Sequence, residues 1–105
     1  MQIQIENQTL AIKPCTHFFT RLLGMMFQKK KLTYGLYFPK CKSIHTFFMK
    51  QSIDILMVDR NGKVLAYYNN VKPWKIVTCK NAYACYEFST GILKSVTIGT
   101  QITIL

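Results

Sequence analysis

The chain opens on a two-residue rhythm. Gln2-Ile3-Gln4-Ile5 alternates polar and apolar, and Thr9-Leu10-Ala11-Ile12-Lys13 does so again after the polar break Glu6-Asn7-Gln8. Side chains of a strand point alternately to opposite faces, so the two runs predict a β-hairpin with one buried face. Pro14 ends the second strand because it brings no N–H to a ladder. Between Thr16 and Phe27 the period changes: Phe18, Leu22, Met25 and Met26 suit one side of a helix that Thr16 can cap, which predicts one short helix over 16–27. Gly24 weakens that helix, and Lys29-Lys30-Lys31 reads as an exposed turn or helix end, where positive charge favours the carbonyl end of the dipole.

From Gly35 the strand pattern returns, over 35–38, 45–49, 53–58, 63–68, 74–79, 83–88 and 101–105. Turn residues separate these runs. Asp59-Arg60-Asn61-Gly62 is the clearest, since Asn-Gly between apolar runs supplies the positive φ angles of a tight hairpin. Ile53 to Val58 is apolar on both faces except for Asp54, which marks a central strand; a carboxylate buried there must be paired, hydrogen-bonded or neutral. With no repeat or low-complexity stretch, the expected fold is mainly β: one compact meandering or barrel-like sheet of about seven to nine strands plus the short helix, with an α+β arrangement as the alternative. Residues 1–105 are read as a single domain.

Composition sharpens this picture. Half of the residues are hydrophobic and 17% are charged, too apolar for a disordered chain. Fourteen lysines and arginines face only Glu6, Asp54, Asp59 and Glu87, giving a net charge of +10. Such a surface favours anionic partners electrostatically, although scattered solvated lysines also produce it. Apolar runs as short as Ile55-Leu56-Met57-Val58 cannot span a bilayer, and the alternating start does not resemble a secretion signal, so a soluble cytoplasmic protein is expected. Cys15, Cys41, Cys79 and Cys85 are then expected to be free thiols.

The run Gly35-Leu36-Tyr37-Phe38-Pro39, followed by Cys41, Ser43-Ile44-His45-Thr46-Phe47-Phe48-Met49-Lys50, Ile53-Asp54-Ile55, Asp59 and Gly62, resembles the family called domain of unknown function 192, or uncharacterised protein family 0127, in its short Gram-positive-type members. Thr20-Arg21 and Gly24-Met25-Met26 look like the family's acid-arginine pair and its glycine-leucine-methionine segment. Pro73, Glu87, Gly91 and Gly99 look like its later proline, the glutamate of its last long strand and its closing glycines. Thr20 stands where the family usually has glutamate, and Thr100 where it usually has an acid, so a charge-dependent role at those points does not carry over. The resemblance implies a compact, mainly β, stand-alone domain, sometimes exported in relatives, and no particular activity.

Several residues have chemistry to offer. Histidine is the side-chain type suited to acid-base chemistry near neutral pH, and in a strand over 45–49 His45 would share an apolar face with Phe47 and Met49. A hairpin closed by Lys50-Gln51-Ser52 would pair Met49 with Ile53 and set Asp54 opposite Phe48, whereas a one-residue slip would bring Asp54 beside His45. His45 and Asp54 are thus either an acid-base pair, assisted by Lys50 or Arg21, or a core histidine and a structural carboxylate. Arg21, Asp54 and Glu87 form a second constellation, in which the arginine is either clamped by carboxylates or aimed at an anionic ligand. Lys72-Pro73-Trp74-Lys75 is a basic, rigid, aromatic turn suited to an anion, and with Tyr67, Tyr68 and Tyr83 it makes nucleic acid a candidate partner.

Cys15-x-His17, Cys41-x3-His45 and Cys79-x5-Cys85 lack the paired spacing of a zinc site, so no metal and no cofactor is expected. Cys41 is either a nucleophile working with His45 or a small buried hydrophobe. No phosphate-cradling glycine loop, nucleophile elbow or metalloprotease motif is present. The expected function is a non-enzymatic binding or accessory module for an anionic or small polar ligand, with Arg21, His45, Lys50, Asp54, Lys72, Trp74 and Glu87 as candidate contacts. A small enzyme using His45 and Asp54, or a protein-interaction subunit, are the alternatives.

Overall fold

The computed structural model describes residues 1–16 and 30–105. Its strands in chain order are β1 (Gln2–Ile5), β2 (Gln8–Pro14), β3 (Gly35–Pro39), β4 (Ser43–His45), β5 (Ile53–Val58), β6 (Val64–Val71), β7 (Ile76–Thr78), β8 (Ala84–Ser89) and β9 (Thr103–Ile104). Seven of them form one sheet in the order β6-β5-β8-β3-β2-β1-β9, and β4 pairs with β7 in a second, two-stranded sheet. The fold is mainly β, as the alternation predicts. The helix expected over 16–27 falls, apart from Thr16, outside the described residues.

The β1–β2 hairpin forms in the predicted place, pairing Ile3 with Leu10 and Ile5 with Gln8, and it buries Ile3, Ile5 and Ile12 on one face. β2 then runs parallel to β3, which inserts between β2 and β8. β5 lies between β6 and β8 with every residue buried, the environment its two apolar faces require. One face of the β5–β8 pair carries Leu56, Val58, Ala84, Tyr86 and Phe88 into a core shared with Ile3, Ile5, Ile12 and Ile102. The other carries Ile53, Ile55, Met57 and Cys85 against Ile44 and Val77 of the small sheet. The edge strands β6 and β9 approach each other at one end: Val64 N–H donates to Thr100 O (2.9 Å), Gly99 N–H to Val64 O (2.8 Å) and Ile102 N–H to Gly62 O (2.9 Å). The sheet therefore curls toward a barrel closed along part of its seam.

Gly35 shows how tight the first core is. A Cβ at Gly35 would meet Phe88 Cδ1 at 2.7 Å and Ile12 Cδ1 at 2.9 Å, so no side chain fits without moving the β2–β3–β8 contact. Gly35→Ala is expected to destabilise the fold by about 1–3 kcal/mol. Chemical denaturation measures it, and an unchanged midpoint would contradict the packing described.

Two local expectations are corrected. The hairpin expected between 45–49 and 53–58 is absent; β4 ends at His45 and pairs with β7 instead, Ile44 opposite Val77 and His45 opposite Ile76. The reason is Thr46, whose buried hydroxyl and backbone bond to the Lys72–Lys75 turn and draw the chain away from β5. In the turn after β5 only Gly62 has positive φ (83°), not Asn61. Asp59 Oδ1 accepts the Asn61 and Lys63 N–H groups (both 2.9 Å), so a side chain organises the turn in place of a second left-handed residue.

Candidate functional site

The predicted candidates separate in space. His45 is exposed at the end of β4 on the small sheet, not within a strand running on to Met49. Its Nδ1 accepts the Phe47 N–H (3.2 Å), its ring lies 5.0 Å from that of Phe47, and among the described residues it bonds to no carboxylate. Asp54 is buried in β5, and its Oδ1 accepts the Asn70 N–H (2.7 Å). Asn70, at φ 57°, sits where the β5–β6 register shifts, so the carboxylate satisfies an N–H left over by the bulge. Burial pushes the Asp54 carboxyl up, against the Asn70 and Gly91 N–H groups and the Lys31 charge, which hold it down. This is the hydrogen-bonded strand carboxylate, and the geometry assembles no His45–Asp54 pair.

Glu87 is buried in β8, and Asp54 pairs with Phe88 while Glu87 pairs with Ile55. Directly paired residues share a face and neighbours alternate, so the two carboxyls project from opposite faces of the sheet. They do not converge on one ligand. Arg21 lies outside the described residues. Burial first, and the nearby Cys41 second, push the Glu87 carboxyl up to about 8, and its Oε1 has no hydrogen-bond partner among the described residues. None of the four cysteines is in a disulfide. A hydrogen bond with the Cys41 side chain, and then burial, push the Cys85 thiol up and suppress its thiolate.

What does converge is a set of loops at one end of the main sheet. β8 runs antiparallel to both β3 and β5, so the chain leaving β3 and β5 meets the chain entering β8. Main-chain bonds lock the three together: Cys41 N–H to Tyr83 O (2.8 Å), Tyr83 N–H to Val58 O (2.8 Å) and Cys79 N–H to Lys42 O (2.9 Å). Lys40, Lys42 and Arg60 line an open cleft of about 620 Å³ with Cys41 and Tyr83, and an adjoining hollow of about 440 Å³ adds Lys80. Four cations thus face one acid, Asp59, whose Oδ1 is already engaged by the turn.

Arg60 and Tyr83 form the cleft's shared wall, the guanidinium carbon 4.9 Å from the ring centre. On the far side of that wall lies a narrower pocket of about 370 Å³ lined by Tyr37, Tyr83, Tyr86 and the Gln101–Ile104 segment. Tyr37 and Tyr86 contact each other at 4.9 Å, and burial pushes both hydroxyls up, so they stay protonated. Sequence reading passed over this site. Its signal was the placement of Lys40, Lys42, Arg60 and Lys80 in short loops at strand ends, and only the strand order joins them.

A mainly β, partly closed sheet with a basic loop cluster at one end describes the class of protein. The chain belongs to the DUF192 family, described as "Uncharacterized ACR", whose model matches residues 1–104. Two curated relatives are UPF0127 proteins. That of Pyrococcus horikoshii is 38% identical over 84 residues, covering 75% of this chain and 72% of the relative, and that of Pyrococcus furiosus is 26% identical over 102 residues, covering 92% and 83%. A "putative transcription regulator" from Sinorhizobium meliloti superposes with a TM-score of 0.84 at 14% identity, covering 97% of this chain and 91% of that one. A protein of unknown function from Novosphingobium aromaticivorans does so with 0.80 at 14% identity, covering 98% and 84%. At that identity the likeness concerns the fold alone.

Proposed function

We propose that the protein is a non-enzymatic binding module for a small anionic ligand held in the Lys40–Lys42–Arg60–Lys80 cleft. The observation that carries this reading is four cations against one engaged acid, on three loops fixed to each other by main-chain bonds. Cations grouped on a rigid frame meet an anion without first paying to be ordered. The cleft volumes suit a small molecule, and the tyrosine pocket behind Arg60 can take a flat or apolar portion of it. Arg60 supplies a planar fork for phosphate or carboxylate, with its face supported by Tyr83. Hollows of about 370 to 620 Å³ grouped at one end of the sheet favour a small ligand over a polymer.

The test is a thermal-shift screen at low salt with inorganic phosphate, nucleoside phosphates and dicarboxylates, followed by calorimetry. A concentration-dependent rise in Tm is expected with at least one of these anions. Arg60→Ala and Lys42→Glu should each weaken that ligand about tenfold or more, roughly 1.4 kcal/mol. No shift with any anion at low salt, or an affinity in both variants equal to that of the parent, would remove the reading.

A further inference from the structure

The small sheet ends in an aromatic tip that the cleft does not use. Phe47 stacks on Trp74 with ring centres 5.6 Å apart, Phe48 meets Trp74 edge-on at 4.8 Å, and His45 adjoins Phe47 at 5.0 Å. Despite these contacts Phe48 is 49% exposed, Trp74 59% and the neighbouring Ile76 63%. Burying such rings is normally favourable, so their joint exposure does not serve the fold.

The backbone beneath them is also unusual. Phe48 (φ 62°) and Trp74 (φ 68°) are both in the left-handed region, which bulky side chains rarely enter. Thr46 over-determines both turns: its C=O accepts the Trp74 N–H (3.0 Å) and the Met49 N–H (3.3 Å), and its hydroxyl binds the Lys72–Lys75 turn. Strain is thus maintained at two positions where glycine would relieve it, and the result is a pair of rings held outward. The charges on the two turns that carry the tip have one sign. Segments 45–50 and 72–76 contain Lys50, Lys72 and Lys75 and no acid.

We propose that this tip docks on an anionic phospholipid surface, with Trp74, Phe48 and Ile76 entering the headgroup boundary and Lys50, Lys72 and Lys75 lying over the phosphates. Indole rings favour that boundary, and lysines near it are attracted by acidic lipids. A single-stranded nucleic acid fits less well. Its bases need an open aromatic face, whereas Phe47 and Phe48 already pack on Trp74, and the exposed aliphatic Ile76 offers a base little.

Trp74 is the chain's single tryptophan, so its fluorescence reports on the tip directly. The full chain would be titrated with pure phosphatidylcholine vesicles and with phosphatidylcholine–phosphatidylglycerol vesicles at roughly 3:1, both with and without brominated acyl chains, at low and high salt. Expected are a blue shift and quenching by brominated lipid with the acidic vesicles alone, both weakened by salt. Lys72→Glu with Lys75→Glu should lower partitioning more than tenfold, and Arg60→Ala should leave it unchanged, which separates this proposal from the cleft reading. Phe48→Gly keeps the reporter and relieves the left-handed strain, so it should lose vesicle binding in flotation without losing Tm. The proposal is overturned by unaltered emission with acidic vesicles at low salt. It is equally overturned by a shift that only single-stranded oligonucleotides cause, or by one that tracks self-association in sedimentation.

Discussion

Stability is expected to fall as the pH rises from about 4.5 toward 8, with Glu87 as the main source. The carboxyl is buried between Leu36 and Ile55, and burial raises it to about 8 in the folded chain against an ordinary 4.5. Between those values the folded state keeps a proton that the unfolded state has released, so each increment of pH favours unfolding. The slope approaches roughly 1.4 kcal/mol per pH unit. Below about 4.5 both states are protonated and the contribution is fully present; above about 8 both are ionised and the dependence ends. Asp54 acts in the same direction, since burial raises it too. Summed over the window, Glu87 alone is worth on the order of 5 kcal/mol, a large part of a small domain's stability.

Glu87→Gln removes the titration while keeping the shape. It should match the parent near pH 4.5, exceed it clearly at pH 8, and flatten the profile to what Asp54 leaves. Denaturant midpoints at several pH values measure this. Parallel profiles for the two proteins would mean that Glu87 is ionised in the fold, and the account of its burial would be wrong.

Much of the fold was legible because the strands are amphipathic or apolar over lengths that leave few alternatives. Gln2–Ile5 and Ile53–Val58 lie where alternation and apolar continuity put them, and the wholly buried β5 is the central strand its sequence describes. What failed was pairing. Met49 and Ile53 are separated by a turn-sized gap, and a local hairpin is the natural reading. The chain instead joins β4 to β7 across more than thirty residues, because Thr46 finds its partners at Lys72 and Lys75. A buried hydroxyl carries no periodic signal that names a partner so distant.

The candidate site was less legible for a related reason. His45 was singled out as a histidine in a strand and Lys72 and Trp74 as part of a basic, aromatic turn, and the β4–β7 pairing and ring contacts bring the three to one region, the tip. The cleft residues Lys40, Arg60 and Lys80 look like unremarkable surface cations when read in order. They meet because β3 enters the sheet between β2 and β8, which brings the loops after β3 and β5 to the start of β8. Asp54 and Glu87 show the reverse error. Both read as fixed ionisable points in an apolar frame, but one step of strand parity sends them to opposite faces.

Thr46→Val is expected to cost about 3 kcal/mol, although the two side chains have almost the same shape. The Thr46 hydroxyl is fully buried; it donates to Lys72 O (2.7 Å) and accepts the Lys75 N–H (2.8 Å). Valine would leave both main-chain groups without that partner in a dry setting, at roughly 1–3 kcal/mol each. For a chain of this length the loss corresponds to a Tm lower by on the order of 10 °C or more. Thr46→Ser keeps the hydroxyl and loses a methyl group, so it should cost only about 1 kcal/mol. The ranking parent, serine, valine therefore separates hydrogen bonding from packing, since packing alone would make serine the worse variant. Trp74 emission gives a second readout: with the turn released from Thr46, the indole should leave its stack on Phe47 and become more accessible to acrylamide in the valine variant but not in the serine one. A valine variant as stable as the serine one, with unchanged quenching, would show that the tip is held by its rings and not by the buried hydroxyl.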